Sequence, residues 1–569
     1  MIRRMSLSLV ALSLLGTVAA TSAWSQGKGL AGSYLAARAA TFESDFRAAS
    51  DYYVRALVRD PANQELMEDA ITALVAVGRV NRAVPIARQL TSLGGVSPAA
   101  SQVLIADGVS RENYDGLIED LAAGMSVGPL VDKLLAAWSQ VGAGRMADAL
   151  SLFDEVTEEP GLSAFGNYHK ALALASVGDF EGALEIFEAG DAQQLQNTRR
   201  GVLAQAVMLS QVDRNADATD LVTRAFGTST DPGVELVLAD LAADETLEYT
   251  LVTDAVEGVA EVFFSIGTAL SGEANDAFTL GYVRLADFLK PGDVDIILLT
   301  AGLLERLERY ELATETYDQV PRESPVFFDA EIGRAEALRR SGKTDAAIEV
   351  LKQLSESHGD IAVVHQTLGD VLRRLERYEE ASSAYDKAIE LTATPEQRDW
   401  AVFFTRGITH ERIDEWPAAE ADFRKALELN PEQPQVLNYL GYSMVELGLN
   451  LDEALDLIER AVAARPQDGY ITDSLGWVLY RLQRYPEAVG PMERAVELTP
   501  DDPIINDHLG DVYWAVGRKL EARFQWSRAL SFDPEEEEAT RIRRKLDVGL
   551  DVVLQEEGAE PLAVANDEG

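Results

Sequence analysis

Glycine and proline recur at a nearly constant spacing in the carboxy-terminal half of the sequence. The members of each series stand 34 or 35 residues apart, and they are Gly407, Gly441, Gly476 and Gly510, and Pro431, Pro466, Pro500 and Pro534. A fixed period of about 20–50 residues is typical of a solenoid, in which each repeat buries its apolar face against the next. Such a fold offers long exposed faces, so we expect a binding protein rather than an enzyme.

One repeat, from Gly441 to Pro466, predicts two antiparallel helices. It has a small residue in the first helix, a turn at Gly448, a second helix around Ala454 and a proline that ends it. Small residues suit positions where two helices approach closely. The predicted repeat-packing positions are Gly369, Gly407, Gly441, Gly476 and Gly510 in first helices, and Ala381, Ala419, Ala454, Ala488 and Ala522 in second helices. Extending this register predicts an all-α solenoid of about fourteen hairpins.

The register also predicts how the chain is divided. The interval from Ala206 to Gly267 breaks the period, which indicates either a kink or boundary between two halves of the solenoid or a degenerate repeat. Acids followed by bases in DPEEEEATRIRRKLD suit a terminal helix. The predicted segments are a signal peptide at 1–23, degenerate repeats at 24–226, an irregular boundary at 227–258, a repeat array at 259–534, a capping helix at 535–553 and an acidic disordered tail at 554–569.

Charge, the amino-terminal segment and the lack of cysteine limit the classes of partner and the cellular compartment expected for the chain. Acidic residues outnumber Lys and Arg by 95 to 50, for a formal charge of −45, which opposes binding to nucleic acid. Arg3 and Arg4 precede an apolar stretch at residues 7–20, as in a secretory signal peptide, so we expect an extracytoplasmic protein. The chain has no cysteine, which excludes disulfides, thiolate chemistry and a lipid anchor on cysteine.

The repeats resemble a known family. The runs LNYLGYSMVELG, DSLGWVLYRLQRYPEAVGPMERAVELTP and DHLGDVYWAVGRKLEARFQWSRALSFDP are similar to tetratricopeptide repeats, strongly over residues 260–534 and less so over 30–230. The resemblance implies a right-handed superhelix whose inner face, lined mainly by first helices, binds proteins or peptides. The chain also resembles secreted Gram-negative envelope scaffolds and adaptors of this family. That implies a periplasmic location and envelope partners, with a protease or a cell-wall enzyme as candidates.

Motifs for catalysis or cofactor binding are not apparent in the sequence. The tripeptide GKT at residues 342–344 lacks the earlier glycine and the strand of a phosphate-binding loop, so we interpret it as a turn between helices. The five histidines lie in different repeats, and none forms an i,i+4 pair suited to a metal ion. We therefore predict that the protein is not an enzyme and uses no metal or other cofactor.

Aromatic and acidic side chains cluster around the small residues of the first helices. Residues three or four apart share a helical face, so these side chains predict stripes along consecutive repeats. The predicted protein-binding groove contains Asn438, Tyr442, Tyr470, Asp473, Trp477, Tyr480, Asp507, Asp511 and Trp514. The acids favour a basic or polar segment over a terminal carboxylate. Alternatively, some of these residues, above all Trp514, pack between helices.

Two functional hypotheses follow from these patterns. The first is a non-catalytic periplasmic scaffold or adaptor that binds envelope proteins through its superhelical surface. The alternative is a structural subunit that oligomerises, or braces an envelope assembly, through convex or terminal surfaces.

Overall fold

The computed structural model describes residues 30–189, 198–227, 232–392, 394–559 and 562. The predicted signal peptide lies outside these residues, and so does most of the predicted tail. The described residues form helices, turns and short connections, with no strand among them. Nor does any described helix have the length and apolar character needed to cross a membrane.

The helices of the amino-terminal part have these bounds: α1 Leu30–Phe42, α2 Phe46–Leu57, α3 Gln64–Ala76, α4 Val80–Ser92, α5 Pro98–Ser110, α6 Tyr114–Ala122, α7 Pro129–Gly142, α8 Met146–Thr157, α9 Ser163–Ser176, α10 Phe180–Glu188, α11 Arg199–Gln211, α12 Asn215–Phe226, α13 Pro232–Ala242, α14 Ala255–Leu270, α15 Asp276–Leu289, α16 Val294–Arg306, α17 Tyr310–Tyr317, α18 Phe327–Arg340 and α19 Thr344–Ser357.

The remaining helices are α20 Ala362–Arg374, α21 Tyr378–Leu391, α22 Trp400–Arg412, α23 Trp416–Leu429, α24 Pro434–Leu447, α25 Leu451–Ala464, α26 Gly469–Arg481, α27 Tyr485–Leu498, α28 Pro503–Ala515, α29 Lys519–Leu530, α30 Glu536–Val548 and α31 Leu550–Glu556. Among the described residues, consecutive helices form thirteen hairpins within the two units, and these leave out α13, α18, α19 and the final pair. This is the all-α repeat solenoid that the period predicts.

Each small residue of the register lies against a large side chain of the same hairpin. A β-carbon added at Gly369 would come 2.7 Å from Tyr385 Cε1, and one added at Gly407 would come 2.6 Å from the corresponding atom of Phe423. The alanines of the second helices, from Ala381 to Ala522, are fully buried. The two helices of a repeat therefore approach too closely to admit a larger residue at these positions.

The chain divides into two compact units, Met1–Ala347 and Ile348–Gly569. This division differs from the predicted boundary at residues 227–258. That segment contains α13 and the first turn of α14, and α14 packs against helices that precede it in the chain. The residues that follow the segment therefore belong to the first unit as far as Ala347.

The hairpin α14–α15 covers the first helices of earlier repeats in the first unit. Helix α14 packs against α5, α7 and α9, and helix α15 packs against α3 and α5. Eleven of the sixteen residues of α14 are buried, which is expected of a helix that is apolar on all sides. The long interval in the repeat register provides the connection, because the chain runs without regular structure from the end of α13 to Asp254.

The end of the described chain also differs from the sequence prediction. The predicted capping helix at 535–553 is two helices, separated at Gly549, whose φ of +90° is a conformation that favours glycine. The second helix, α31, continues to Glu556, so residues 554–556 are helical rather than part of a disordered tail.

Candidate functional site

The first helices of the second unit form a continuous face. Helix α24 contacts α26, and α26 contacts α28. Two cavities that share Tyr442 and Glu446 lie along this face. The larger, about 600 Å³, is lined mainly by residues of α22 and α24, including Glu411 and Asn438. The smaller, about 330 Å³, is lined by residues of α24, α26, α28 and α30, including Trp477. We call this face the open groove.

Trp477 lines the smaller cavity of the open groove. Its ring stacks on His508, with centroids 4.0 Å apart, and on Tyr480, with centroids 4.8 Å apart. Its indole Nε1 donates a hydrogen bond of 2.7 Å to Glu446 Oε1. These contacts link α24, α26 and α28, so the aromatic surface is fixed by three consecutive repeats.

A buried histidine–carboxylate pair lies beneath Trp477. His508 Nδ1 is 2.9 Å from Asp473 Oδ2, and both side chains are almost fully buried. Burial alone would lower the pKa of His508, but the carboxylates of Asp473, Asp507 and Asp511 together outweigh burial and raise it. Asp473 therefore serves the packing of α26 against α28.

The acidic end of the groove is occupied by a lysine of the same chain. Lys545 Nζ of α30 donates to Asp507 Oδ2 at 2.7 Å and to both oxygens of Asp511 at 2.7 and 2.8 Å. Trp526 Nε1 also donates to Asp511, at 2.8 Å. Burial raises the pKa of Asp507, although the charge of Lys545 opposes that shift. Lys545 therefore pairs with both aspartates, and Arg541 Nη1 lies 3.6 Å from Asp511 Oδ2.

The structure separates the nine predicted groove residues into groups. Asn438, Tyr442, Trp477 and Asp507 line the cavities of the open groove. Tyr470 is exposed at the start of α26 but lines neither cavity. The remaining four make contacts inside the chain, and they are Asp473, Tyr480, Asp511 and Trp514.

Position on a shared helical face does not ensure access to the groove, because neighbouring first helices and α30 cover part of each stripe. Trp514 follows the alternative that the sequence left open. Its ring packs on Trp526, with centroids 5.3 Å apart, and its Nε1 donates to Asp551 of α31 at 2.9 Å.

Glu446 and Glu411 are groove residues that the sequence analysis did not select. Glu446 follows Tyr442 by four residues, so the same helical spacing that identified the stripes also places it on this face. Glu411 accepts hydrogen bonds from Tyr439 at 2.7 Å and from Ser443 at 2.5 Å. No spacing rule within one helix identifies Glu411, because its partners belong to the next repeat.

A second cluster, in the first unit, joins charged residues that are far apart in sequence. Arg200 donates to Glu261 at 2.9 Å, to Asp293 at 2.9 Å and to Asp295 at 2.6 Å. Tyr168 donates to the other oxygen of Glu261 at 2.8 Å. Burial alone would raise the pKa of Asp293, but Arg200 lowers it overall. Because each carboxylate already has a partner, this cluster holds the helices together.

An aromatic chain of hydrogen bonds joins α7, α9 and α14 beside that cluster. Trp138 Nε1 donates to His169 Nδ1 at 3.2 Å, and His169 Nε2 is 3.1 Å from Ser265 Oγ. Because Nδ1 accepts, the neutral ring carries its proton on Nε2 and donates to Ser265. Burial lowers the pKa of His169 to about 3. These two hydrogen bonds hold α14 against α7 and α9 of earlier repeats.

Neither cluster has the character of a metal centre. Across the described ranges, no group of three or more His, Asp or Glu side chains is arranged to hold a metal ion.

Parts of the chain are similar to known proteins, and one of them is named for tetratricopeptide repeats. A TPR repeat-containing protein of Pseudomonas aeruginosa, PA4667, is 27% identical over 176 residues, which are 28% of this chain and 29% of that protein. The human protein O-mannosyl-transferase TMTC1 is 26% identical over 147 residues, 26% of this chain and 17% of that protein. The chain thus spans less than a third of the length of the curated relatives it matches.

A solved structure matches most of the chain, whereas the family model matches parts of residues 298–537. The Cut9–Hcn1 hetero-tetramer of the APC/C is 15% identical, covers 92% of this chain and 96% of that chain, and gives a TM-score of 0.36. The model described as tetratricopeptide repeat matches residues 298–360, 332–398, 404–469, 448–503 and 474–537. Over these residues the chain is an array of tetratricopeptide repeats, a fold typical of protein interaction.

Proposed function

We propose that the protein is a non-catalytic scaffold of the bacterial cell envelope whose open groove binds a basic or polar segment of a partner protein. The observation that carries this proposal is the pair of adjoining cavities along α22–α28. Tyr442 and Trp477 provide aromatic area, and both side chains are only partly buried. Tyrosine and tryptophan are frequent anchors at protein interfaces.

Charge supports the choice of partner segment. Glu411, Asp414 and Glu446 line the groove, and Arg412 is the base among the residues of the larger cavity. The chain as a whole carries −45, so its field attracts positively charged segments. A basic segment is therefore favoured over an acidic one on both the local and the overall scale.

The periplasmic location and the envelope partners rest on the amino-terminal sequence, with its Arg3 and Arg4 and its apolar stretch. Fractionation of cells that express the tagged full chain tests the location. We expect the protein in the periplasmic fraction, and expect it in the cytoplasm when residues 1–23 are deleted. Cytoplasmic retention of the full chain would reject the location.

Charge reversal in the groove tests the binding surface. In the Tyr442→Ala/Glu446→Lys variant, we expect crosslinking to envelope partners in cells to fall at least about tenfold, because an anchor and an attractive charge are lost. The matched control is Glu459→Lys, an exposed position on the second helix α25 of the same repeat. Undiminished crosslinking in a groove variant with the same helical circular dichroism as the control would remove the groove assignment.

A further inference from the structure

The terminal helix α30 covers the acidic end of the open groove. Its sequence is EEEATRIRRKLDV, and the residues it buries are Ala539, Ile542 and Lys545. Arg541 and Ile542 of this helix, together with Glu538, line the smaller cavity. The helix thus forms one wall of the surface to which we assign partner binding.

Lys545 is held as a bound ligand would be. Its side chain is fully buried, its ammonium group donates to Asp507 and Asp511, and it lies 5.7 Å from the centroid of the Trp526 ring. Arg541 of the same helix approaches Asp511, with 3.6 Å between Nη1 and Oδ2. Two carboxylates and an indole ring therefore form a site that fits a lysine side chain.

The contacts that hold α30 and α31 are modest for two helices. The apolar side chains that they bury are Ala539, Ile542, Leu550 and Val553. The buried ion pairs add little net stability, because detaching the helix returns Lys545 and both carboxylates to water and recovers their hydration. A terminal pair with few buried apolar side chains belongs to the part of a structure that opens most easily.

We propose that Asp507, Asp511 and Trp526 form a lysine-binding pocket at the end of the open groove, that Lys545 fills this pocket within the free chain, and that a lysine of the partner displaces it. This inference rests on the proposed function. The partner segment contains a lysine, and Lys545 of the same chain competes with that lysine for the pocket. Helices α30–α31 then lower the affinity of the groove for every segment without a suitable lysine, because the tethered competitor is present at a high effective concentration.

A synthetic peptide tests the pocket without knowledge of the partner. The probe is a fluorescent peptide with the sequence of residues 535–558, titrated by anisotropy against three full-length chains: the unsubstituted chain, Lys545→Met, and the control Arg543→Met. Arg543 lies on the same helix, but its side chain is 57% exposed and pairs with Glu536. We expect the peptide to bind the Lys545→Met chain at least about tenfold more tightly than the other two, because only this chain has lost its own competitor.

The same peptide with methionine at the position of Lys545 should bind the Lys545→Met chain at least about tenfold more weakly. Equal affinity of all three chains for the unsubstituted peptide would overturn the inference. So would failure of a folded Lys545→Met chain to bind the peptide. A dimer that forms by exchange of terminal helices would assign the pocket to a second copy of the chain and would also overturn it.

Amide hydrogen exchange on the unsubstituted chain keeps the inference testable if Lys545→Met does not fold. We expect the amides of α30 and α31 to exchange at least about tenfold faster than those of α28, and equal protection would overturn the inference. Loss of partner crosslinking in Tyr442→Ala/Glu446→Lys depends on α24 and not on Lys545. Failure of the competitor is thereby distinguished from failure of the groove.

Discussion

The two units use the first helices of their repeats differently. In the first unit, α3, α5, α7 and α9 are covered by the hairpin α14–α15 of the same chain. In the second unit, the corresponding face keeps two adjoining cavities, and α30 covers one end of it. The same hairpin repeat thus provides either an internal packing surface or an accessible groove, and the difference depends on whether the chain contains a segment that fits the face.

The two segments that cover these faces, the hairpin α14–α15 and helix α30, differ in their side-chain chemistry. Helix α14 presents buried residues on all sides, with Glu261 paired with Arg200 and hydrogen-bonded by Tyr168. Helix α30 is rich in exposed charge and buries Lys545 among carboxylates. We therefore expect the hairpin α14–α15 to stay bound permanently and helix α30 to be displaceable. The following substitutions and pH changes test this contrast.

The largest effect is expected from Arg200→Met. The substitution leaves Glu261 buried without its cation and leaves Asp293 with only Lys290, at 3.8 Å. Breaking a buried charge pair costs about 3–5 kcal/mol. Hydrogen exchange in α14 should show this loss as a lower local free energy of unfolding. The control is Arg199→Met, because Arg199 is 37% exposed and its ion pair with Asp295 is 3.8 Å long, so we expect about 0–1 kcal/mol. Equal losses in the two variants would show that the cluster does not secure the hairpin.

A smaller effect is expected from Gly258→Ala in α14. The added β-carbon would overlap the ring of the fully buried Trp138 on α7, and overpacking of this kind costs about 1–3 kcal/mol. Gly281→Ala in α15 is the matched control, because no atom lies within 4 Å of its added β-carbon. The control should stabilise the hairpin by about 0.5–1 kcal/mol through helix propensity. Hydrogen exchange in α14 and α15 during thermal unfolding measures the stability change in both variants. A Gly258→Ala chain with undiminished stability would contradict the close packing of α14 against α7.

The sequence predicts the hairpins more completely than it predicts the contacts between distant hairpins. The register from Ala37 to Gly510 identifies the thirteen described hairpins that lie within the two units, because helix pairing within a repeat depends on local spacing. The irregular interval before Gly267 is also visible in the sequence. That α14 turns back onto α7 and α9 is not visible, because it depends on the shape match of residues such as Gly258 and Trp138.

In the open groove, too, the sequence predicts residues within one repeat but not contacts between distant helices. Tyr442 and Trp477 were found from their spacing, and they line the cavities. The position of Lys545 was not foreseeable, because it stands in the run RIRRK, where each base is equally suited to solvent. Only the packing of α30 on α28 distinguishes the buried lysine from its exposed neighbours.

Acidification should weaken the first unit through His169. Burial lowers the pKa of His169 to about 3 in the folded chain, whereas an unfolded histidine has a pKa of about 6.5. Between these values the unfolded state binds a proton that the folded state does not, so the free energy of unfolding falls as the pH falls. From pH 7.5 to 5.5 we expect a loss of about 1 kcal/mol in local exchange measurements on α9 and α14. His169→Gln should remove this loss, and an unchanged pH slope in that variant would contradict the buried neutral ring.

The opposite and smallest pH effect is expected in the second unit, through His508. Burial alone would lower the pKa of His508, but the carboxylates of Asp473, Asp507 and Asp511 outweigh burial and raise the pKa. The folded state therefore binds the proton more tightly, so the stabilisation is fully present below about pH 6.5 and is lost as the pH rises through the folded pKa. Because burial and the carboxylates oppose each other, we expect a smaller change than for His169. Local exchange in α28 should become less protected with rising pH in the unsubstituted chain but not in His508→Gln. If α28 instead weakens on acidification, as α14 should, then the Asp473–His508 pair does not carry charge, and this contrast between the two units is lost.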